Sequence, residues 1–370
     1  MEIGILTLPL HSNYGGILQA YALQKALKRM GYEAILIKEN NKFKLPLWKK
    51  PFTYSKRVLC KYILKRKDAI DIFYEQKREE LRQNTRIFID KNIQTKDFSY
   101  VKKNKRDFEA IIVGSDQVWR PKYCKNIERM YLSFAKNWKI KRIAYAASFG
   151  TDEWEYTGKQ TKNCKNLLKL FDAVSVREKS GVELCKKHFD TNAVQVLDPT
   201  MLLDVSHYIS LIEKEKVEKS AGNLFVYILN KNEVANKIEQ EISSTLNLIP
   251  FYSSTDSAKA LMEDRKTTKV ENWLRSFYDA EFVLTDSFHA CVFSILFNKP
   301  FVVYGNSSRG LSRFDSLLQL FNLENREIST GTANLKHILN SPINWSKVNK
   351  ILNEQREISN LFLTNSLKEK

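Results

Sequence analysis

The sequence predicts an α/β protein built from two units, each carrying a parallel sheet. Three observations predict it. Short apolar runs alternate with helix-length segments along most of the chain, this alternation resets once after Asp198-Pro199-Thr200, and clusters of small and polar residues recur where strands end. Strands separated by helices at this spacing imply a parallel sheet covered on both faces.

The elements follow in order. Ile3–Leu8 is a buried strand, and Ile17–Met30 a helix with apolar positions at i, i+3 and i+4. Gly31 ends that helix, and Ala34–Ile37 is the next strand. Strands Ala110–Val113, Arg142–Ala147, Ala173–Val176 and Ala193–Leu197 come next, the last three separated by helices Gln160–Phe171 and Ser180–His188. Beyond the reset, a helix from Ser206 to Lys219 leads into strand Leu224–Leu229, helix Glu233–Leu246 and strand Leu248–Phe251. Helix Val270–Tyr278, strand Phe282–Leu284, helix Phe288–Phe297 and strand Pro300–Val303 complete the second unit. The expected domains are 1–203 and 204–344, with a helix in 345–370 packing back toward the first.

The 370 residues are 43% apolar and 28% charged, a globular composition without the signature of disorder. The net charge of +18 predicts anionic partners: phosphorylated substrates, nucleic acid or acidic lipid surfaces. The cysteines at 60, 124, 164, 185 and 291 form no C-x-x-C pair, which argues against zinc ribbons and disulfide frameworks and fits a reducing cytosol. Met1-Glu2 runs straight into Ile3-Gly4-Ile5-Leu6 with no basic leader, and Asp286, His289, Asn298 and Lys299 interrupt the longest apolar stretch. A cytoplasmic chain without a membrane span is therefore expected.

One region breaks the alternation. Lys42–Lys67 holds ten Lys or Arg and no acid, interleaved with Trp48, Phe52, Tyr54, Leu59, Tyr62 and other apolar residues. It is either a solvated surface insertion or a patch for an anionic membrane surface.

Five constellations lie at strand ends, where open α/β sheets bind ligands. In the first, Asn13-Tyr14-Gly15-Gly16 links strand to helix; such a loop allows close backbone approach and offers helix N–H groups to anions, or is an ordinary turn. The second is Gly114-Ser115-Asp116-Gln117, where Asp116 is either a base or hydroxyl binder, or a helix cap. The third is Ser175-Val176-Arg177-Glu178, with Arg177 as an anion clamp or a structural ion pair. The fourth is Asp286-Ser287-Phe288-His289, which opens an apolar helix. There the macrodipole disfavours an imidazolium unless a bound anion keeps His289 charged as a general acid; otherwise it is a structural histidine. The fifth, Ser307-Ser308-Arg309-Gly310-Leu311-Ser312-Arg313, suits a phosphate pocket or a solvated basic loop.

Taken in order, these segments resemble the polysaccharide pyruvyl transferase family. Ala144-Tyr145-Ala146-Ala147-Ser148-Phe149-Gly150 and Leu197-Asp198-Pro199-Thr200 add to the resemblance, which spans about residues 1 to 320. One departure is Ala290, where many relatives have glycine after the histidine. The resemblance implies two Rossmann-like domains facing a cleft, a glycosyltransferase-B-like architecture, and transfer of the pyruvyl group of phosphoenolpyruvate onto two hydroxyls of a sugar as a cyclic ketal. It associates His289 and Arg177 with donor binding and catalysis.

The expected site follows. Arg177, Ser287, His289, Arg309 and Arg313 bind the donor; Asn13, Tyr14, Gly15, Gly16, Ser115 and Asp116 bind the acceptor; and His289, Arg177 and Asp116 carry the chemistry. Neither a cofactor nor a metal is expected, since the sequence has no H-E-x-x-H, no Cys/His cluster and no D-x-D at a strand end. The expected acceptor is a sugar on a lipid diphosphate at the inner membrane face, approached through residues 42–67. Two rivals are a glycosyltransferase of the same shape using a nucleotide-sugar, and a nucleic-acid-binding module; the second leaves the strand-end clusters unexplained.

Overall fold

The computed structural model describes residues 2–38, 48, 50–64, 80–253, 267–305, 312–328 and 335–368. Arg309 and the ends of the basic insertion lie outside the described residues.

Two parallel sheets form the molecule. The first contains β1 (Glu2–Leu6), β2 (Glu33–Lys38), β3 (Thr95–Asp97), β4 (Phe108–Val113), β5 (Lys141–Ala147), β6 (Ala173–Val176) and β7 (Val194–Gln195), in the order β3-β2-β1-β4-β5-β6-β7. The second contains β8 (Leu224–Tyr227), β9 (Pro250–Tyr252), β10 (Phe282–Thr285), β11 (Phe301–Tyr304) and β12 (Glu327–Ile328), in the order β12-β11-β10-β8-β9. Among the described residues every strand pair is parallel, so in each sheet the carboxyl ends share one edge.

Parallel strands are buried on both faces, which is why the central ones read as unbroken apolar runs. Ile111, Ile112 and Val113 of β4 and Val283 and Leu284 of β10 are all fully buried. The connection changes direction between β1 and β4 in the first sheet and between β8 and β10 in the second. Such switch points leave a crevice beyond the carboxyl ends.

Some elements differ from the sequence expectation. The predicted helix Ser206–Lys219 runs Val205–Lys214, because the chain turns into the left-handed region at Lys216 (φ 48°). The strand expected at Ala193–Leu197 keeps only Val194–Gln195, and the next residues bend inward to place Asp198. The short edge strands β3 and β12 and the helix Gln83–Asn92 carry too little apolar pattern to be read in advance.

The lobes share one apolar cluster. Tyr14, from the helix Tyr14–Arg29, stacks on Trp273 of the helix Val270–Asp279, with ring centroids 5.3 Å apart, and its hydroxyl donates to the Thr268 carbonyl at 3.1 Å. The Lys179 N–H of the first lobe donates to Ser316 Oγ of the second at 2.8 Å. The last helix, Trp345–Leu367, lies against the first lobe: Leu197 N–H donates to Ser359 Oγ at 3.0 Å, and the Arg356 guanidinium donates to the carbonyls of Met201 and Leu203. No helix among the described residues is long and apolar enough to cross a membrane.

Candidate active site

The two switch points face each other across a cavity of about 320 Å³. The first lobe contributes Leu8, Ser12, Asn13 and Gly15 after β1, and Asp116 and Gln117 after β4. The second contributes Tyr227 and Leu229 at the end of β8, Asp286 to His289 after β10, and Arg313.

Asp198 organises the wall behind this cavity. Its Oδ2 accepts from Arg177 Nη1 at 2.8 Å and from Ser115 Oγ at 3.0 Å. Its Oδ1 accepts from the Thr200 N–H at 3.0 Å and from Thr200 Oγ1 at 2.7 Å. His289 Nε2 stands 3.5 Å from Oδ2, an ion-pair separation rather than a hydrogen bond. Burial alone would push the Asp198 carboxyl up, but His289, Arg177 and Thr200 more than offset it and hold the carboxyl well below the usual range. The carboxylate is thus a fixed negative charge beside the imidazole.

The His289 ring crosses from the second lobe and packs against Gly15 so closely that no side chain fits there. This is the close approach that the glycine pair permits. Ser287, at the N-cap of the helix Phe288–Leu296, turns a half-buried side chain to the cavity and makes no capping hydrogen bond with it. Asp286 also lines the cavity, with its carboxylate accepting the N–H groups of Leu229 (2.6 Å) and Asn230 (3.0 Å), so it ties the ends of β8 and β10 together.

Two guanidiniums lie near the Phe288 ring. Arg177 lies over its ring at 4.1 Å from the centroid and Arg313 at 5.7 Å. Burial and the neighbouring Arg177 push Arg313 down to about 10. Glu178 supports this region, its Oε1 accepting from Ser148 Oγ and from the N–H groups of Phe149 and Gly150.

Asp116 sits in the left-handed region at φ 73°, which an aspartate tolerates better than most residues. The Ser148 N–H holds its carbonyl at 3.1 Å, Gln117 N–H donates to its Oδ1 at 2.9 Å, and Asn13 Nδ2 donates to its Oδ2 at 3.3 Å. Strain of this kind, on the order of 1–3 kcal/mol, persists where the surroundings over-determine the backbone.

Of the residues expected at the site, Asn13, Gly15, Asp116, Ser287, His289 and Arg313 line the cavity. Three residues expected to bind the acceptor stand outside the lining. Tyr14 is buried in the lobe contact, Gly16 lies buried in the first turn of the helix behind Asn13, and the Ser115 hydroxyl is spent on Asp198. Arg177, at 5% exposure, is not in the lining and is paired with Asp198. Arg309 lies outside the described residues. The sequence reading missed Asp198 and Phe288 as site residues. The available signal was an acid set between Leu197 and Met201, where a carboxylate must find partners. Among the described residues no three His, Cys, Asp or Glu side chains gather where they could hold a metal.

The profile of the polysaccharide pyruvyl transferase family matches residues 13–308. The chain belongs to this family. It is thus an enzyme of the transferase class, and its polysaccharide pyruvyl transferase fold is glycosyltransferase-B-like. Among solved structures it is similar to the UDP-GlcNAc 2-epimerase from Neisseria meningitidis bound to UDP-GlcNAc, at 8% identity and a TM-score of 0.52 over 99% of each chain. It is also similar to the UDP-N-acetylglucosamine 2-epimerase from Rickettsia bellii, at 10% identity and a TM-score of 0.51, covering 99% of this chain and 97% of that one. At these identities the likeness is one of fold. No curated protein matches the sequence.

Proposed function

We propose that this pyruvyl transferase moves the pyruvyl group of phosphoenolpyruvate onto two hydroxyls of a sugar, forming a cyclic ketal in surface polysaccharide biosynthesis and releasing phosphate. The observation that carries the reading is the meeting, in one cavity, of an imidazole backed by Asp198, the Arg313 cation and the Asp116 carboxylate.

The donor bears a carboxylate and a phosphate and needs fixed positive charge. Arg313 and the Ser287 hydroxyl face it, and Arg177 adds positive field from beside the Phe288 ring while pairing with Asp198. Protonated His289, with Nε2 toward Asp198, gives its other ring proton to the enol CH₂, which becomes a methyl group. The adjacent carbon becomes electrophilic. A sugar hydroxyl attacks it and Asp116 takes the hydroxyl proton. The C–O bond to phosphate breaks, phosphate leaves with that bonding pair and takes up a proton, and the second hydroxyl closes the ketal. The proton it gives up restores His289. The resident groups complete this sequence, and no cofactor enters it.

We place the acceptor sugar on a lipid diphosphate and the protein peripherally on the inner membrane face. Trp48 (71% exposed), Phe52 (80%) and Ile63 (67%) stand out from the segment that includes the helix Lys50–Val58, alongside Lys50, Lys56, Arg57 and Lys61. Apolar side chains beside cations match an anionic bilayer.

The test is phosphate release from phosphoenolpyruvate, with a panel of sugar acceptors and a parallel arm with nucleotide-sugars. Wild type releases phosphate from phosphoenolpyruvate, and His289→Ala loses about 10²–10⁴-fold of that rate at unchanged melting temperature. A near-wild-type rate in His289→Ala, or turnover only with nucleotide-sugar, overturns the reading.

A further inference from the structure

Gln117 takes no part in the chemistry above, yet it lines the central cavity next to Asp116. Two turns follow it. The Arg120 N–H donates to the Gln117 carbonyl at 3.2 Å, and the Tyr123 N–H to the Arg120 carbonyl at 3.0 Å. This winding gathers the side chains of residues 117, 120 and 123. Arg120, only 6% exposed, donates Nη1 to Gln117 Oε1 at 3.1 Å, and its guanidinium lies 5.4 Å from the centroid of the Tyr123 ring. Its Nε and Nη2 fork onto the Glu155 carboxylate at distances between 2.8 and 3.2 Å.

A guanidinium can only donate, so the Gln117 atom facing Arg120 is the carbonyl oxygen, and the amide nitrogen is turned away from it. Gly150, at φ 72°, packs against that oxygen: a Cβ there would lie 2.1 Å from Oε1. The N–H donors of Nε2 have no partner among the described residues. Gln117 therefore brings a held, neutral donor to the cavity, where its neighbour Asp116 brings an acceptor. Tyr123 lines the same cavity with half of its surface exposed.

Charge divides this cavity. Arg313 and His289 come from the second lobe. On the side of the first lobe Glu155 offsets Arg120, which leaves the Asp116 carboxylate, a neutral amide and an aromatic ring. Such a surface repels a dianion and suits a neutral polyol. Carboxylate and amide take up hydroxyls, and the ring covers the apolar face of a pyranose.

We infer that Gln117 and Tyr123 form the acceptor-sugar subsite. Gln117 Nε2 donates to the oxygen of the second ketal-forming hydroxyl while Asp116 accepts from the first, and Arg120 is the positioning residue that holds Gln117. This rests on the sugar-acceptor reading above, and it names what the acceptor must carry: two hydroxyls of one ring close enough to meet two successive side chains. The second oxygen keeps one lone pair for the electrophilic carbon while the other accepts from Nε2, and no proton leaves the amide.

The experiment is calorimetric titration of the full-length protein with the methyl glycosides of galactose, glucose, mannose and N-acetylglucosamine, with their monodeoxy analogues and, separately, with phosphoenolpyruvate. Wild type is expected to bind at least one glycoside, and to bind its analogue lacking the hydroxyl at Gln117 about three- to tenfold more weakly. In Gln117→Met that discrimination is expected to vanish, with the parent glycoside weakened to the level of the analogue and with phosphoenolpyruvate affinity and melting temperature unchanged. Gln117→Glu keeps an oxygen for Arg120 but has no donor, so it guards against misfolding and is expected to lose the same discrimination. Arg120→Lys is expected to lose part of it, because one ammonium cannot fork onto Glu155 and hold Gln117 at once; full discrimination there removes the positioning role. Full discrimination in Gln117→Met, loss of phosphoenolpyruvate affinity there in place of glycoside affinity, or no glycoside bound by wild type overturns the subsite. Failure of wild type to bind phosphoenolpyruvate instead overturns the donor reading and leaves the glycoside result standing.

Discussion

Gly15 and His289 come from opposite lobes and occupy one space: a Cβ at position 15 would lie 2.0 Å from Nδ1 of His289. Gly15→Ala must therefore swing the imidazole off Asp198 or part the lobes. We expect kcat for phosphate release to fall at least about 100-fold, the lower end of a general acid's contribution. A Gly15→Ala enzyme at full rate removes His289 from the chemistry.

Asp198→Asn takes from the buried Arg177 guanidinium its nearer carboxylate, at 2.8 Å, and leaves only Glu178 at 3.9 Å. Unfolding by urea should show a loss of about 3–5 kcal/mol. The pH dependence has a definite sign. The native carboxyl is held well below its ordinary value, so the unfolded chain takes up its proton first. The contribution is whole above about pH 4, the unfolded value, and is lost progressively as pH falls below it. Wild type should weaken in that acid range more steeply than Asp198→Asn, and parallel curves refute the assignment.

Arg313 is pushed down to about 10 by burial and by Arg177, so it loses its proton earlier than an ordinary arginine. Phosphoenolpyruvate affinity should decline as pH rises through about 10. The decline should be absent in Arg313→Gln, whose affinity is already low. Affinity in wild type that stays level through this range places the donor elsewhere.

The insertion offers a membrane test. Each Lys or Arg near an anionic surface contributes about 1 kcal/mol. Changing Lys50, Lys56, Arg57 and Lys61 to Glu should abolish flotation with phosphatidylglycerol vesicles, and salt should do the same to wild type. Equal flotation of both proteins removes the bilayer from the account.

What the sequence disclosed, and what it hid, follows from physics. Buried parallel strands need apolar runs, so β1, β4, β5 and β10 were legible. Ligand clusters follow strand ends, so Asp116, Ser287 and His289 stood out. Depth was not legible. Arg177 and Arg313 look alike in the sequence, yet Arg313 lines the cavity while Arg177 is paired with Asp198 outside its lining. Tyr14 read as a loop residue beside a ligand because nothing local reveals Trp273 stacking on it.

The last helix has a reach beyond packing. Ser359 and Arg356 grip Leu197, Met201 and Leu203, the residues flanking the turn that presents Asp198. The carboxylate beside the imidazole is thus buttressed by a helix more than 150 residues further along the chain. Losing that helix would strip the buttress away, so a protein with both sheets intact would still be catalytically silent.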